Sequence, residues 1–137
     1  MTEDELRERL AGEPVGTLAT IDPDGSPNVV PFVFALIGDT LYTTVDAKPK
    51  RTQRLQRLAN LERDPRCTVL VDRYDDDWNR LWWVRVRGRG RVADDQAERA
   101  RALEALRAKY TQYGEIDPGE IVIAIDAESW KGWSYTD

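Results

Sequence analysis

Gly16-Thr-Leu-Ala-Thr-Ile-Asp-Pro-Asp-Gly-Ser-Pro-Asn-Val-Val-Pro-Phe32 reads as two strands joined by a turn. Val15 to Ile21 is rich in strand-forming residues. Asp22-Pro-Asp-Gly25 then supplies a turn, with Pro setting φ and Gly tolerating positive φ. Asn28 to Ile37 continues as a second strand, and Gly38-Asp39 makes a tight hairpin into a third, residues 40–46. The local reading is a three-strand meander.

Working outward, Thr2 and Glu5 form a capping box, so residues 3–11 are expected to be helical. Residues 52–62 follow as a helix with Leu55, Leu58 and Ala59 on one apolar stripe, stopped by Asp64-Pro65. Arg66 to Tyr74 is a fourth strand and Leu81 to Val92 a long fifth. Residues 94–113 are the longest predicted helix, with Ala97, Ala100, Leu103, Leu106 and Tyr110 at the 3–4 spacing of a buried face. Ile121 to Ile125 is a sixth, apolar strand. Six strands with helices outside the sheet predict a mainly β (α+β) fold, a small antiparallel β-barrel with flanking helices.

The chain has 137 residues, the size of one ordinary domain, 1–137. It is acidic, with net charge -5, and 41% hydrophobic, which permits a packed core. No apolar run approaches the roughly 18 residues of a membrane span. The acidic start Met1-Thr-Glu-Asp-Glu argues against a signal peptide, and the lone Cys67 fits a reducing cytoplasm. The sequence contains no histidine, which removes His-assisted triads, His-ligated haem and His-containing zinc sites. No metal site is expected, and no catalytic side chain stands out. Any difficult chemistry would then belong to a bound organic cofactor.

A cation cluster follows the third strand at once: Lys48, Lys50, Arg51 and Arg54. Cations at a helix start run against the helix dipole, so a compensating anion is expected there. Arg57 and Arg63, further along the helix, read as surface. Thr43 and Thr44 alternate to opposite strand faces, so at most one is expected in a site, and Thr44 is chosen. Arg85, Arg87, Arg89 and Arg91 share one face of the fifth strand by the same alternation. The favoured reading of that face is a surface or interface balanced by neighbouring acids; the others are nucleic acid and an acidic cofactor tail. Against nucleic acid stand the acidic balance and the absence of interleaved aromatics. Gly88 and Gly90 suggest a bend. The five Trp residues are read mainly as core and interface. Asp75, Asp76 and Asp77 are taken as a solvated turn, and Cys67 as a small buried hydrophobe.

Gly16-Thr-Leu-Ala-Thr20, Asp24-Gly-Ser-Pro27, Val29-Val-Pro-Phe32, the strand followed by cations, and Asp64-Pro-Arg66 before a β run together resemble the pyridoxamine 5′-phosphate oxidase-like split-barrel superfamily. Val71-Asp-Arg-Tyr74, Trp78 and Trp82-Trp-Val-Arg-Val-Arg-Gly88 are most similar to its actinobacterial branch of coenzyme F420-dependent oxidoreductases. The resemblance implies a six-stranded antiparallel split β-barrel of the FMN-binding type. It implies a cytoplasmic homodimer with the cofactor in grooves between two barrels, acting on a small-molecule acceptor with no nucleic acid or membrane partner. Carried onto this chain, Lys48, Lys50 and Arg51 would meet the cofactor phosphate, with Arg54 an extra contact. Leu18, Ala19, Thr20 and Pro31 would face the ring, and Trp133 would close the groove from the other subunit. F420 is the cofactor expected, because its phosphodiester and oligoglutamate tail match the excess of cations; FMN is the alternative. A non-catalytic flavin or deazaflavin carrier is the third reading.

Overall fold

The computed structural model describes residues 1–45, 52–115, 118–119 and 121–136, with the backbone alone over 52–55. Lys48, Lys50 and Arg51 lie outside the described residues, as does the side chain of Arg54. Helix α1 (Glu3–Gly12) begins at Thr2, whose hydroxyl accepts the Glu5 N–H at 3.2 Å, as the capping box predicts. Strands β1 (Gly16–Ile21) and β2 (Pro27–Phe32) pair antiparallel around the Asp22–Gly25 turn, where Gly25 has φ 87°. The chain then forms β3 (Ala35–Ile37) and β4 (Thr40–Val45), joined through Gly38 at φ 61°. After α2 (Thr52–Arg63) come β5 (Arg66–Arg73), β6 (Trp82–Val92), α3 (Gln96–Lys109) and β7 (Ile121–Ser134).

Among the described residues the sheet has seven strands in the order β2-β1-β5-β6-β7-β4-β3, not the six expected. The run expected as one strand over residues 28–37 breaks at Val33-Phe34, and its halves lie on opposite edges of the sheet. No meander forms, because β2 pairs β1 while β3 pairs β4. Two residues therefore bridge the first and last strands of a seven-stranded sheet. So short a link is possible only if the sheet curls until its edges meet, since two extended residues span only about 7 Å. The sheet is thus a rolled half-barrel, and Val33-Phe34 marks its seam.

The sixth strand, expected over 121–125, runs on as β7 to Ser134, because the whole length of β6 is available to pair with it. Arg87 faces Ser129 and Gly88 faces Ala127, so Glu128 is the extra residue of a β-bulge. A Cβ on Gly88 would sit 2.4 Å from the Asp126 carbonyl oxygen, which explains the glycine at the bend the sequence suggested.

The barrel interior is filled by alternating residues, among them Leu18, Leu41, Val69, Val71, Val84, Val86, Ile123 and Ile125. Cys67 joins this core, and burial pushes its thiol up to about 12, leaving it an inert hydrophobe. Helix α1 lies against β6 and β7, with the Arg7 guanidinium over Trp130 and that of Arg9 over Trp82. Helix α3 covers Tyr42, Val122 and Ala124 with Ala102 and Leu103, and its Leu106 is fully buried. Ala97 and Ala100, expected on that face, are exposed. Alanine is a good helix former on either face, so its spacing alone does not identify the buried one. Arg91 bonds both Glu98 and Asp126 and ties α3 to the sheet, while Glu98, which also accepts from the Tyr42 hydroxyl at 2.7 Å, is held down to about 2.

Candidate functional site

The seam creates the site. Strand β3 pairs with Thr40–Tyr42, so among the described residues β4 from Thr43 onward has no strand partner on that edge. Across the gap stands the end of β2. A cleft of about 290 Å³ opens between them, lined by Val30–Val33, Thr43, Thr44, Arg57 and Tyr113. Thr43 and Thr44 do point to opposite faces, yet both line the cleft, because it opens at the strand's free edge. The sequence places at most one of them in a site, whereas both are within reach of anything held in this cleft.

The Arg57 guanidinium was read from sequence as surface. It is instead buried, with 8% of the residue exposed, and forms one wall of the cleft beside Thr43 and Thr44. Its position follows from how α2 is held. Asn60, fully buried one turn later, donates from Nδ2 to Thr20 Oγ1 at 3.1 Å and to Asp22 Oδ1 at 2.9 Å. Its Oδ1 accepts from Gln56 Nε2 at 2.8 Å, and Arg63 donates to the Ile21 carbonyl. These bonds clamp the C-terminal half of α2 to the end of β1. Leu61 is buried on the same side. The buried side of α2 is therefore Arg57, Asn60 and Leu61, with Leu58 partly buried and Ala59, expected on it, exposed.

Pro31 and Thr44, two of the expected site residues, meet at this cleft. The Thr44 hydroxyl donates to the Pro118 carbonyl, leaving its oxygen able to accept. Ala19 faces outward and lines a different concavity, on the outer sheet face. Leu18 points the opposite way into the core, so the two do not share a surface. Thr20 is buried and engaged by Asn60. Trp133 lies far along β7, opposite Trp83, with 43% of the residue exposed and Tyr135 edge-on to it at 6.4 Å. It is not a wall of the cleft.

The seam itself is held by α3 and the turn beyond it. The Tyr110 hydroxyl accepts the Phe34 N–H at 3.1 Å and has the Pro14 and Phe34 carbonyls at 2.7 and 2.9 Å for its single proton. Phe34 stacks on Phe32 at 5.2 Å. Lys109 Nζ sits 3.9 Å from the centre of the Phe34 ring, buried and with no hydrogen-bond acceptor among the described residues. Burial lowers its amine from 10.5 to about 8. Between those values the unfolded chain binds more protons than the folded one, so stability rises with pH across that window. Urea denaturation at pH 7.5 and 9.5 should show this rise, and Lys109→Met should flatten it and add about 1 kcal/mol at the lower pH. An equal slope in the variant would assign the effect to another group.

A buried guanidinium, two buried hydroxyls and a wall of Val30–Val33 suit a ligand with an anionic end and a flat apolar body. Known structures are consistent with the same architecture. A conserved hypothetical protein from Mycobacterium tuberculosis matches at TM-score 0.80 and 24% identity, covering 98% of this chain and 85% of its own. An FAD-binding protein from Mesorhizobium loti matches at 0.73 and 23%, covering 96% and 94%. A heme-binding protein from Mycobacterium smegmatis matches at 0.78 and 21%, covering 97% of this chain and 54% of its own. The model of the pyridoxamine 5′-phosphate oxidase family matches residues 2–134, and the chain belongs to that family.

Proposed function

We propose that this protein is an oxidoreductase that holds a flavin-type cofactor in the seam cleft, with coenzyme F420 as the cofactor and FMN as the second reading. The observation that carries the proposal is the buried Arg57 at the cleft wall, a further cation on the segment that in sequence carries Lys48, Lys50, Arg51 and Arg54. A buried guanidinium serves an anion far better than an exposed one, because water competes less for it. The chain contains no histidine, so a haem would lack its usual axial ligand.

When bound, such a cofactor supplies hydride transfer to or from an electron-poor small molecule. The chain's own part is positioning. Arg57 and the Thr44 oxygen hold the anionic end, and the Val30–Val33 wall keeps one face of the cleft apolar. Tyr113 stands at the cleft from the turn after α3. No side-chain acid or base is required for the transfer, which suits this lining. F420 is preferred over FMN because five cations, Arg57 included, exceed the need of one phosphate. The exposed Trp133–Tyr135 pair supports a homodimer in which one subunit closes the cleft of the other.

The deciding experiment is a fluorescence titration of the purified chain with F420 and FMN, with mass read by light scattering. F420 should bind more tightly, to a dimer, and its reduced form should be oxidised when acceptors are added. Equal or reversed affinities would favour FMN. Binding of either without turnover would make the protein a carrier.

A further inference from the structure

The outer sheet face carries a second concavity of about 440 Å³, which shares no lining residue with the seam cleft and is unused by the reading above. Its shape comes from the cross-strand rows. Ala19, Thr68 and Arg87 lie side by side, as do Ile21 and Pro27 nearby, and Arg66 faces Arg89 directly. The small residues Ala19 and Thr68 make a floor, and the bulge at Glu128 bends the sheet beside it.

The charges are the unusual part. Like charges directly opposite in an antiparallel pair are destabilising, yet Arg66 and Arg89 are so placed. Asp64 grips Arg66 in a fork, Nε to Oδ1 at 3.1 Å and Nη2 to Oδ2 at 2.7 Å, which orients that guanidinium. Arg87 and Arg89 have no ion pair among the described residues, whereas Arg91, on the same face, has two. The favoured sequence reading, an arginine face balanced by neighbouring acids, therefore holds for Arg91 and not for Arg87 or Arg89. Among the described residues Glu128 is the single carboxylate on the concavity's lining, against three guanidiniums, of which Arg66 is already paired with Asp64.

We propose that this concavity is a binding site for a small di- or tricarboxylate. The Cα atoms of Arg66 and Arg89 are about 5 Å apart across the ladder. Those of Arg87 and Arg89 are about 7 Å apart along the strand. Carboxylates two to four carbons apart on one molecule are on the scale of that spacing; Arg87 and Arg89 can each offer a guanidinium fork, and Arg66, whose Nε and Nη2 are held by Asp64, offers Nη1. Ala19, Ile21 and Pro27 receive the ligand's carbon skeleton. The site stands on its own residues and does not depend on the cofactor reading of the seam.

The test is isothermal titration of the full chain with citrate, succinate and inorganic phosphate at constant ionic strength. Citrate should bind saturably, more tightly than phosphate, and less tightly as salt rises. The doubly substituted Arg87→Ser, Arg89→Ser chain should bind citrate at least tenfold more weakly while its FMN affinity at the seam stays unchanged. Both positions are exposed, so circular dichroism should show an intact fold. Absence of saturable citrate binding, equal binding by the variant, or tighter binding of phosphate than of citrate would overturn the proposal. So would a dimer of the parent chain that binds no citrate and falls apart in the variant, which would make a second copy the occupant.

Discussion

Arg57→Met is expected to weaken FMN binding by about 1.5–3 kcal/mol, the worth of a charge-assisted hydrogen bond. That is roughly a 10- to 150-fold rise in Kd. The reason is geometric: Arg57 is only 8% exposed and forms the cleft wall beside Thr43 and Thr44. Methionine keeps the apolar stem and removes the charge. Riboflavin, which lacks the phosphate, separates the two possible contacts. A loss for FMN with little loss for riboflavin places Arg57 at the phosphate. Equal losses place it at the ring. An unchanged FMN affinity in a folded variant would remove the seam as the cofactor site.

Phe34→Ala is expected to cost about 3–5 kcal/mol of stability, the usual range for emptying a fully buried aromatic position. Phe34 is wholly buried, stacked on Phe32 and covered by Lys109. It also sits at the point where the chain leaves one sheet edge for the other, so its loss slackens the Phe32-Val33 wall of the cleft. Chemical denaturation reads the first effect, and cofactor affinity of the remaining folded protein reads the second. Leu106→Ala provides the comparison: a fully buried residue of α3, away from the cleft lining, that should lower stability and leave cofactor affinity in place. Equal affinity losses in both variants would mean the cleft responds to stability in general and not to the seam.

Much of the local structure was legible in the chain. The Thr2 cap, the Asp22–Gly25 turn, the Gly38 hairpin and the stop after Arg63 each rest on a few neighbouring residues and occur where expected. The alternation of arginines on β6 was equally plain, since a strand's period of two is set by its backbone. The site was harder to read. Pro31 and Thr44 line the seam cleft, but Arg57, which walls it, reads as surface in the sequence because an arginine at a helix position normally faces water. Its burial depends on Asn60, whose partners Thr20 and Asp22 lie about forty residues earlier in the chain. A polar pair at i and i+3 on the inner side of α2 was the available signal, and the apolar-stripe criterion passes over such a pair.

The seam was beyond local reading for a related reason. Asn28 to Ile37 is strand-like throughout, and nothing within it says that its two halves choose different partners. That choice is made by hydrogen-bond pairing with β1 on one side and β4 on the other, together with the Tyr110 clamp on Phe34. By itself the sequence determined strands, turns, caps and the cation-rich stretch after β4, because these follow from covalent geometry and near neighbours. Only the tertiary structure decided that the sheet rolls, that its edges part beside Thr43, and that Arg57 is drawn in from solvent, because each of these depends on contacts between segments far apart in the chain.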